Sequence, residues 1–230
     1  MGIQRAWTIG ILVGLGAAAC GGGRPAGGPA GPQPGAAGAA AGAVDYDAVY
    51  RARQDSARMR FSAADVRFVT GMISHHAQAL VMSALAPTHG ASAAVRTLAA
   101  RIINAQNDEI ALMQQWLRDR GQTVPEIHIM GTELMVHGAD HGLMPGMLTP
   151  DQMRELGEAR DLEFDRLFLT HMIQHHRGAV TMVHDLFGTD GASQDDLVFK
   201  LASDIQVDQT TEIARMEQML ARMPAGGNGR

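Results

Sequence analysis

The chain has 230 residues, a formal net charge of −5 and no basic run, which excludes an electrostatic nucleic-acid binder. Hydrophobic residues make up 46% and aromatics only 4%, against 15 methionines. Any core is therefore aliphatic, alanine-rich and methionine-rich.

Residues 1–20 read as a signal peptide of the lipoprotein type. Arg5 gives a positive start, and Ala6 to Ala18 is apolar but too short for a membrane span. Cys20, the only cysteine, follows small residues as at a bacterial lipoprotein cleavage site, although Ala17 stands where leucine is usual. A lipid on Cys20, a plain cleaved leader and an uncleaved anchor all place the remainder outside the cytoplasm. The expected location is periplasmic or cell-surface, with a lipid at Cys20 holding the chain to a membrane. One cysteine allows no intrachain disulfide, so packing must supply stability. Residues 21–44 are rich in Gly, Ala and Pro and are expected to be a disordered tether of about 75 Å at about 3.3 Å per residue. The folded domain is expected over 45–223, with a frayed tail at 224–230.

From Asp45 on, the pattern is helical, and no strand-type alternation of Val, Ile and Thr is evident. Asp45 to Arg60 predicts a short helix. Ser62 with Asp65, Thr149-Pro150-Asp151-Gln152 and Ser193 with Asp196 are helix starts. Breaks fall at Pro87–Gly90, Gly121–Pro125, Gly142–Gly146 and Gly188–Gly191. Four main helices follow, at about 62–86, 92–120, 150–187 and 193–222, with a crossover over 121–149.

The strongest signal is an internal repeat. Asp65, Phe68, Thr70, Met72, Ile73, His75, His76, Ala79 and Met82 recur as Asp165, Phe168, Thr170, Met172, Ile173, His175, His176, Ala179 and Met182. Gln106, Glu109, Ile110 and Met113 fall on Gln209, Glu212, Ile213 and Met216. A helix hairpin has been duplicated (about 62–120 and 150–222). The expected fold class is all-α, an antiparallel four-helix bundle.

At about 100° per residue, Met72, His75 and His76 share one helix face with Phe68 and Ala79. Gln106 and Glu109 lie on the apolar stripe of the next helix, and the second repeat matches. Buried polar groups need partners, so this face is either a satisfied polar network or a metal site. The candidate metal ligands are His75, His76, Met72, Gln106, Glu109, His175, His176, Met172, Gln209 and Glu212. Imidazole with thioether favours copper, as Cu(I) or Cu(II). Iron fits less well, because no Glu-x-x-His occurs, and so does zinc, because no cysteine is available in the domain. The crossover adds His128, Met130, Met135, His137, His141, Met144 and Met147, which reads as a second soft-metal surface or as a plain amphipathic linker. His137, His141, Met144 and Met147, with Met82 and Met182, are secondary candidates.

The run Asp-x-x-Phe-x-x-x-Met-Ile-x-His-His-x-x-Ala-x-x-Met, followed by Gln-x-x-Glu-Ile-x-x-Met, resembles the bacterial domain-of-unknown-function family 305. The resemblance covers about Phe61 to Met223 in both halves, and Met144 to Met153 also fits it. It implies an extracytoplasmic, ferritin-like four-helix bundle and, for CopM-like members, copper binding linked to copper resistance. The residues it marks are Met72, His75, His76 and Met82, with Met172, His175, His176 and Met182. Gly71 faces His171 between the copies, so the two halves are not equivalent.

Three function classes stay open. The first is a copper-binding protein acting in buffering, delivery or resistance, with a copper donor or acceptor protein as partner. The second is a metal-free envelope protein whose polar stripe fixes helix register. The third is a copper-dependent oxidoreductase, although no nucleophile triad, phosphate loop or paired carboxylate acid/base is present.

Overall fold

The computed structural model describes residues 44–131, 133–138 and 144–224. The expected leader, Cys20, the tether up to residue 43, His141 and the tail beyond Pro224 lie outside them. The described chain is mostly helical, with helices α1 (Tyr46–Arg58), α2 (Ala63–Ala84), α3 (Ala93–Asp119), α4 (Pro150–Glu158), α5 (Asp161–Phe187) and α6 (Asp196–Ala221). A hairpin of β1 (Glu126–Met130) and β2 (Glu133–His137) lies between α3 and α4.

Side chains at the starts fix where these helices begin. Ser62 N–H donates to Asp65 Oδ2 at 2.7 Å and Asp65 N–H donates to Ser62 Oγ at 3.2 Å. Thr149 and Gln152 make the same reciprocal box, with Pro150 in the first turn of α4. Each box satisfies donors that a helix start leaves open.

α2 folds back on α3, α5 folds back on α6, and α2 meets α5. The apolar residues gather in two clusters. One holds Met82, Leu98, Ile102, Phe164, Phe168, Met172 and Met216. The other holds Phe68, Met72, Met113, Trp116, Val183, Leu201 and Ile205. On all four helices the candidate polar residues sit in the stretch between the two clusters, so a polar layer divides the core.

The repeat is also a mutual brace. Asp65 Oδ1 accepts the Ser193 N–H at 2.6 Å, and Asp165 accepts the Ser92 N–H with both oxygens, at 3.1 and 3.2 Å. The same aspartate in each copy therefore caps the turn of the other hairpin. The loop before α4 is held as closely. Gly178 and Gly146 are in backbone contact, and a Cβ at Gly178 would stand 1.9 Å from the Pro145 carbonyl oxygen.

Three features depart from the sequence reading. The helix expected over 150–187 breaks at Ala159 and Arg160, both extended, with Asp161 at φ 55°. The break is tied to the α2–α3 turn: Asp161 N–H donates to His89 O at 2.8 Å, and His89 Nε2–H donates to Gly157 O at 2.9 Å. α6 starts at Asp195 rather than Ser193. Asp195 Oδ1 accepts from Leu197 N, Val198 N and Trp116 Nε1, and its other oxygen pairs with Arg120. Finally, the crossover pairs as antiparallel strands where none was expected. Ile127, Leu134 and Val136 do alternate with Glu, His and Met, but methionine counted as apolar conceals the period.

Asp65→Ala and Asp165→Ala should each lower stability by roughly 2–3 kcal/mol, since each removes buried, charge-assisted bonds to helix and turn N–H groups. The measurement is the urea midpoint at constant slope. The exposed Asp190→Ala should leave that midpoint unchanged.

Candidate metal centre

The polar layer is built from one side-chain pair per helix. His75 and His76 on α2 and His175 and His176 on α5 are fully buried. The His75 and His175 rings meet across the two hairpins, with centroids 3.8 Å apart and planes at 37°. His75 Nε2–H donates to the Pro145 carbonyl at 3.0 Å. His76 Nε2–H donates to Glu109 Oε2 and His176 Nε2–H to Glu212 Oε2, both at 2.7 Å.

These bonds set the tautomers. An acceptor stands at Nε2 of His75, His76 and His176, while Nδ1 of each is buried with no partner. A proton on Nδ1 would be left unpaired in the core, so it belongs on Nε2 and the lone pair on Nδ1. His175 has neither ring nitrogen partnered. The layer thus presents unused imidazole lone pairs away from water.

Burial also keeps these rings neutral. Desolvation, helped by the nearby His76, lowers His75 to about 3. Desolvation and then the facing His75 hold His175 well below the usual histidine value. His176 is lowered by desolvation, although Glu212 pulls the other way. A neutral imidazole is the form that binds a metal. The arrangement contains no nucleophile–base pair.

The other candidates are spread around this layer. Gln106 is buried with both amide atoms unpartnered, and Gln209 Oε1 is unpartnered too. Met72 and Met172 are fully buried in different clusters. Met82 is buried in the cluster of Met172, and Met182 and Met147 are partly exposed. A Cβ at Gly71 would lie 3.1 Å from Met144 Sδ and 3.4 Å from Met182 Cε. His137 is exposed on β2. Among the described residues, no three of His, Cys, Asp and Glu form a ready coordination group.

Two contributors escaped the sequence reading. The Pro145 carbonyl partners His75, and the Gln78 amide bonds both backbone groups of Leu148, at 2.7 and 3.0 Å. Together they fix the loop over the histidines. The only sequence signal was the Pro-Gly pair itself. His171, which the repeat sets against Gly71, is buried with both ring nitrogens unpartnered, its Nε2 3.9 Å from Glu155 Oε2.

The pH response follows from these shifts. Unfolded histidine titrates near 6.5, whereas folded His75 titrates at about 3 and His175 well below 6.5. Below pH 6.5 the unfolded chain binds more protons, so stability falls as pH drops from there toward 3. The slope is at most about 1.4 kcal/mol per pH unit for each histidine. Urea midpoints measured from pH 7.5 to 4.5 should show this acid limb, and His175→Gln should make it shallower by about one proton's worth.

Comparison with curated proteins returned no match. Solved structures similar to this chain include the following three. A DUF305 fragment from Deinococcus radiodurans is 31% identical, covering 70% of this chain and 98% of its own, with a TM-score of 0.58. A DUF305 protein from Streptomyces coelicolor is 28% identical, covering 73% and 96%, at 0.59. CopM in its Cu(I)-bound form is 26% identical, covering 70% and 98%, at 0.53, and CopM has also been solved with Cu(II), with Ag and as the apo form. The model of the domain of unknown function DUF305 matches residues 65–220, from the first bracing aspartate to the end of α6. The chain belongs to the DUF305 family.

Proposed function

We propose that this chain is an extracytoplasmic copper-binding protein acting in copper buffering, delivery or resistance. The scaffold is an antiparallel, ferritin-like four-helix bundle made of the α2–α3 and α5–α6 hairpins. One observation carries the reading: His175 is buried with both ring nitrogens unpartnered, against His75, whose Nδ1 is also unpartnered. Buried polar atoms normally find partners, and a soft cation bridging the hairpins would supply one. Similarity to CopM, solved with Cu(I), Cu(II) and Ag, supports the choice of metal.

In this reading His75 and His175 are the central donors, and His76 and His176 offer Nδ1 beside them. Glu109, Glu212 and the Pro145 carbonyl orient the rings by holding Nε2–H, as outer groups around a metal do. Gln106 and Gln209 are the remaining donors of the layer, and Met72 and Met172 are the thioethers of the two clusters beside it. Copper is cargo here, passed by exchange among nitrogen and thioether ligands to or from a partner protein. No helix among the described residues is long and apolar enough to cross a membrane, so attachment would rest on the leader and a lipid at Cys20.

The metal-free alternative has its own support in the two 2.7 Å His–Glu bonds, which could serve register alone. Melting with and without Cu(I) separates the two. Cu(I) should raise the melting temperature of the wild-type chain, and His75→Ala/His175→Ala should remove most of the rise. An equal rise in the double variant would refute the site, and no rise in the wild type would favour the register reading. Glu109→Gln and Glu212→Gln should each weaken Cu(I) binding about tenfold or more in competition with a chromophoric chelator, with the fold retained.

A further inference from the structure

The β1–β2 hairpin carries a second chemistry on a different surface. Its register pairs Glu126 with His137, His128 with Met135 and Met130 with Glu133. Strand side chains alternate between faces, so these six residues share one face. The opposite face carries the partly buried Ile127, Leu134 and Val136, and the hairpin rests on α2. The six-residue face is exposed throughout. Each strand gives it one glutamate, one histidine and one methionine, in the order Glu-x-His-x-Met on β1 and Glu-x-Met-x-His on β2.

Antiparallel pairing then brings unlike donors together. The His128 and His137 rings lie 5.5 Å apart, edge to face. Met135 stands directly across from His128, within the roughly 5 Å that separates cross-strand neighbours. Met130 and Met135 are 58% and 42% exposed, so their thioethers are available to an incoming ion. Glu126 lies 3.9 Å from His128 Nε2, and Glu133 closes the far end of the face. Ligands of this kind sort metals by softness. Two imidazoles and a thioether suit a soft cation, while magnesium and calcium require oxygen shells.

We propose that the outer face of this hairpin is a solvent-exposed site for a soft monovalent cation, Cu(I) or Ag(I), held by His128, His137 and Met135. Glu126 and Glu133 supply balancing negative charge, and Met130 is a neighbouring thioether. The site shares no residue with the buried layer and does not rest on the function proposed for it. An ion held here exchanges with solvent and with a visiting protein without opening the helices. Ligand exchange is the only chemistry involved, and no electron or proton inventory changes at the metal.

The test is an Ag(I) titration of the full chain, followed by methyl resonances of methionine and ring resonances of histidine, with equilibrium dialysis for stoichiometry. Ag(I) should shift the Met135 methyl and the His128 and His137 ring signals together. His128→Ala/His137→Ala should abolish the Met135 shift and lower the bound Ag(I) by about one per chain. All three substituted positions are exposed, so circular dichroism should show the fold intact in every hairpin variant. Met135→Leu, which keeps the side chain's bulk, should weaken the site about tenfold or more. His75→Ala/His175→Ala should leave the hairpin signals responsive, which separates this proposal from that for the buried layer. A Met135 signal that stays fixed at saturation, or an Ag(I) count unchanged by the double histidine variant, would overturn the site. Zn(II) binding at the same strength in wild type and Met135→Leu, with Ag(I) no tighter, would overturn its assignment as soft.

Discussion

Desolvation of the imidazoles in the buried polar layer constrains most of the surrounding structure. Four histidines stand at full burial between two apolar clusters, and a charged ring there would be far costlier than a neutral one. Three of the four rings have their N–H satisfied, His76 and His176 by the 2.7 Å bonds to Glu109 and Glu212 and His75 by the Pro145 carbonyl, while His175 has no such partner. The Pro145 bond brings the loop before α4 to His75 on α2, and the same loop lies against α5, where a residue larger than glycine at 178 would strike it. The glutamine at 78 then fastens the same loop to α2 through Leu148. The loop over this layer thus goes with a glycine on one helix and a glutamine on another.

Much of this was legible because the chain states it twice. A single histidine at helical spacing carries little information, but the pair recurring with Asp, Phe, Met and the later Gln-x-x-Glu identifies a shared face and a shared register. The capping boxes at Ser62 and Thr149 were legible for a local reason, since both partners lie three residues apart. What the sequence withheld is mostly tertiary. The break between α4 and α5 is tied to His89, far away in the chain, and the cap of α6 is Asp195, which Trp116 and Arg120 also engage. The strands were hidden by residues that count as polar or apolar according to the scale. Nor could helical geometry tell a ligating glutamate from one that orients a histidine, because both lie on the same face.

The duplication is imperfect in a way that separates the halves chemically. Where the first copy has Gly71, Met144 and Met182 crowd in and fill the space a side chain would take. Where the second copy has His171, an imidazole is buried with both nitrogens unpartnered. The repeat is therefore close in sequence, while the surroundings of these two equivalent positions differ. Sulfur lies beside one α2–α5 contact and nitrogen beside the equivalent position of the other copy.

The reciprocal aspartates have a consequence for how the chain assembles. The bond from Ser193 to Asp65 joins residues 128 positions apart, and that from Ser92 to Asp165 joins residues 73 apart. Neither can form until both hairpins are in place, so large loops must close before either contact contributes. A lone hairpin would keep an uncapped turn and a buried-face aspartate without its long-range donor. The halves are thus repeats in sequence but one unit in folding, and loosening either turn weakens the start of the opposite helix pair.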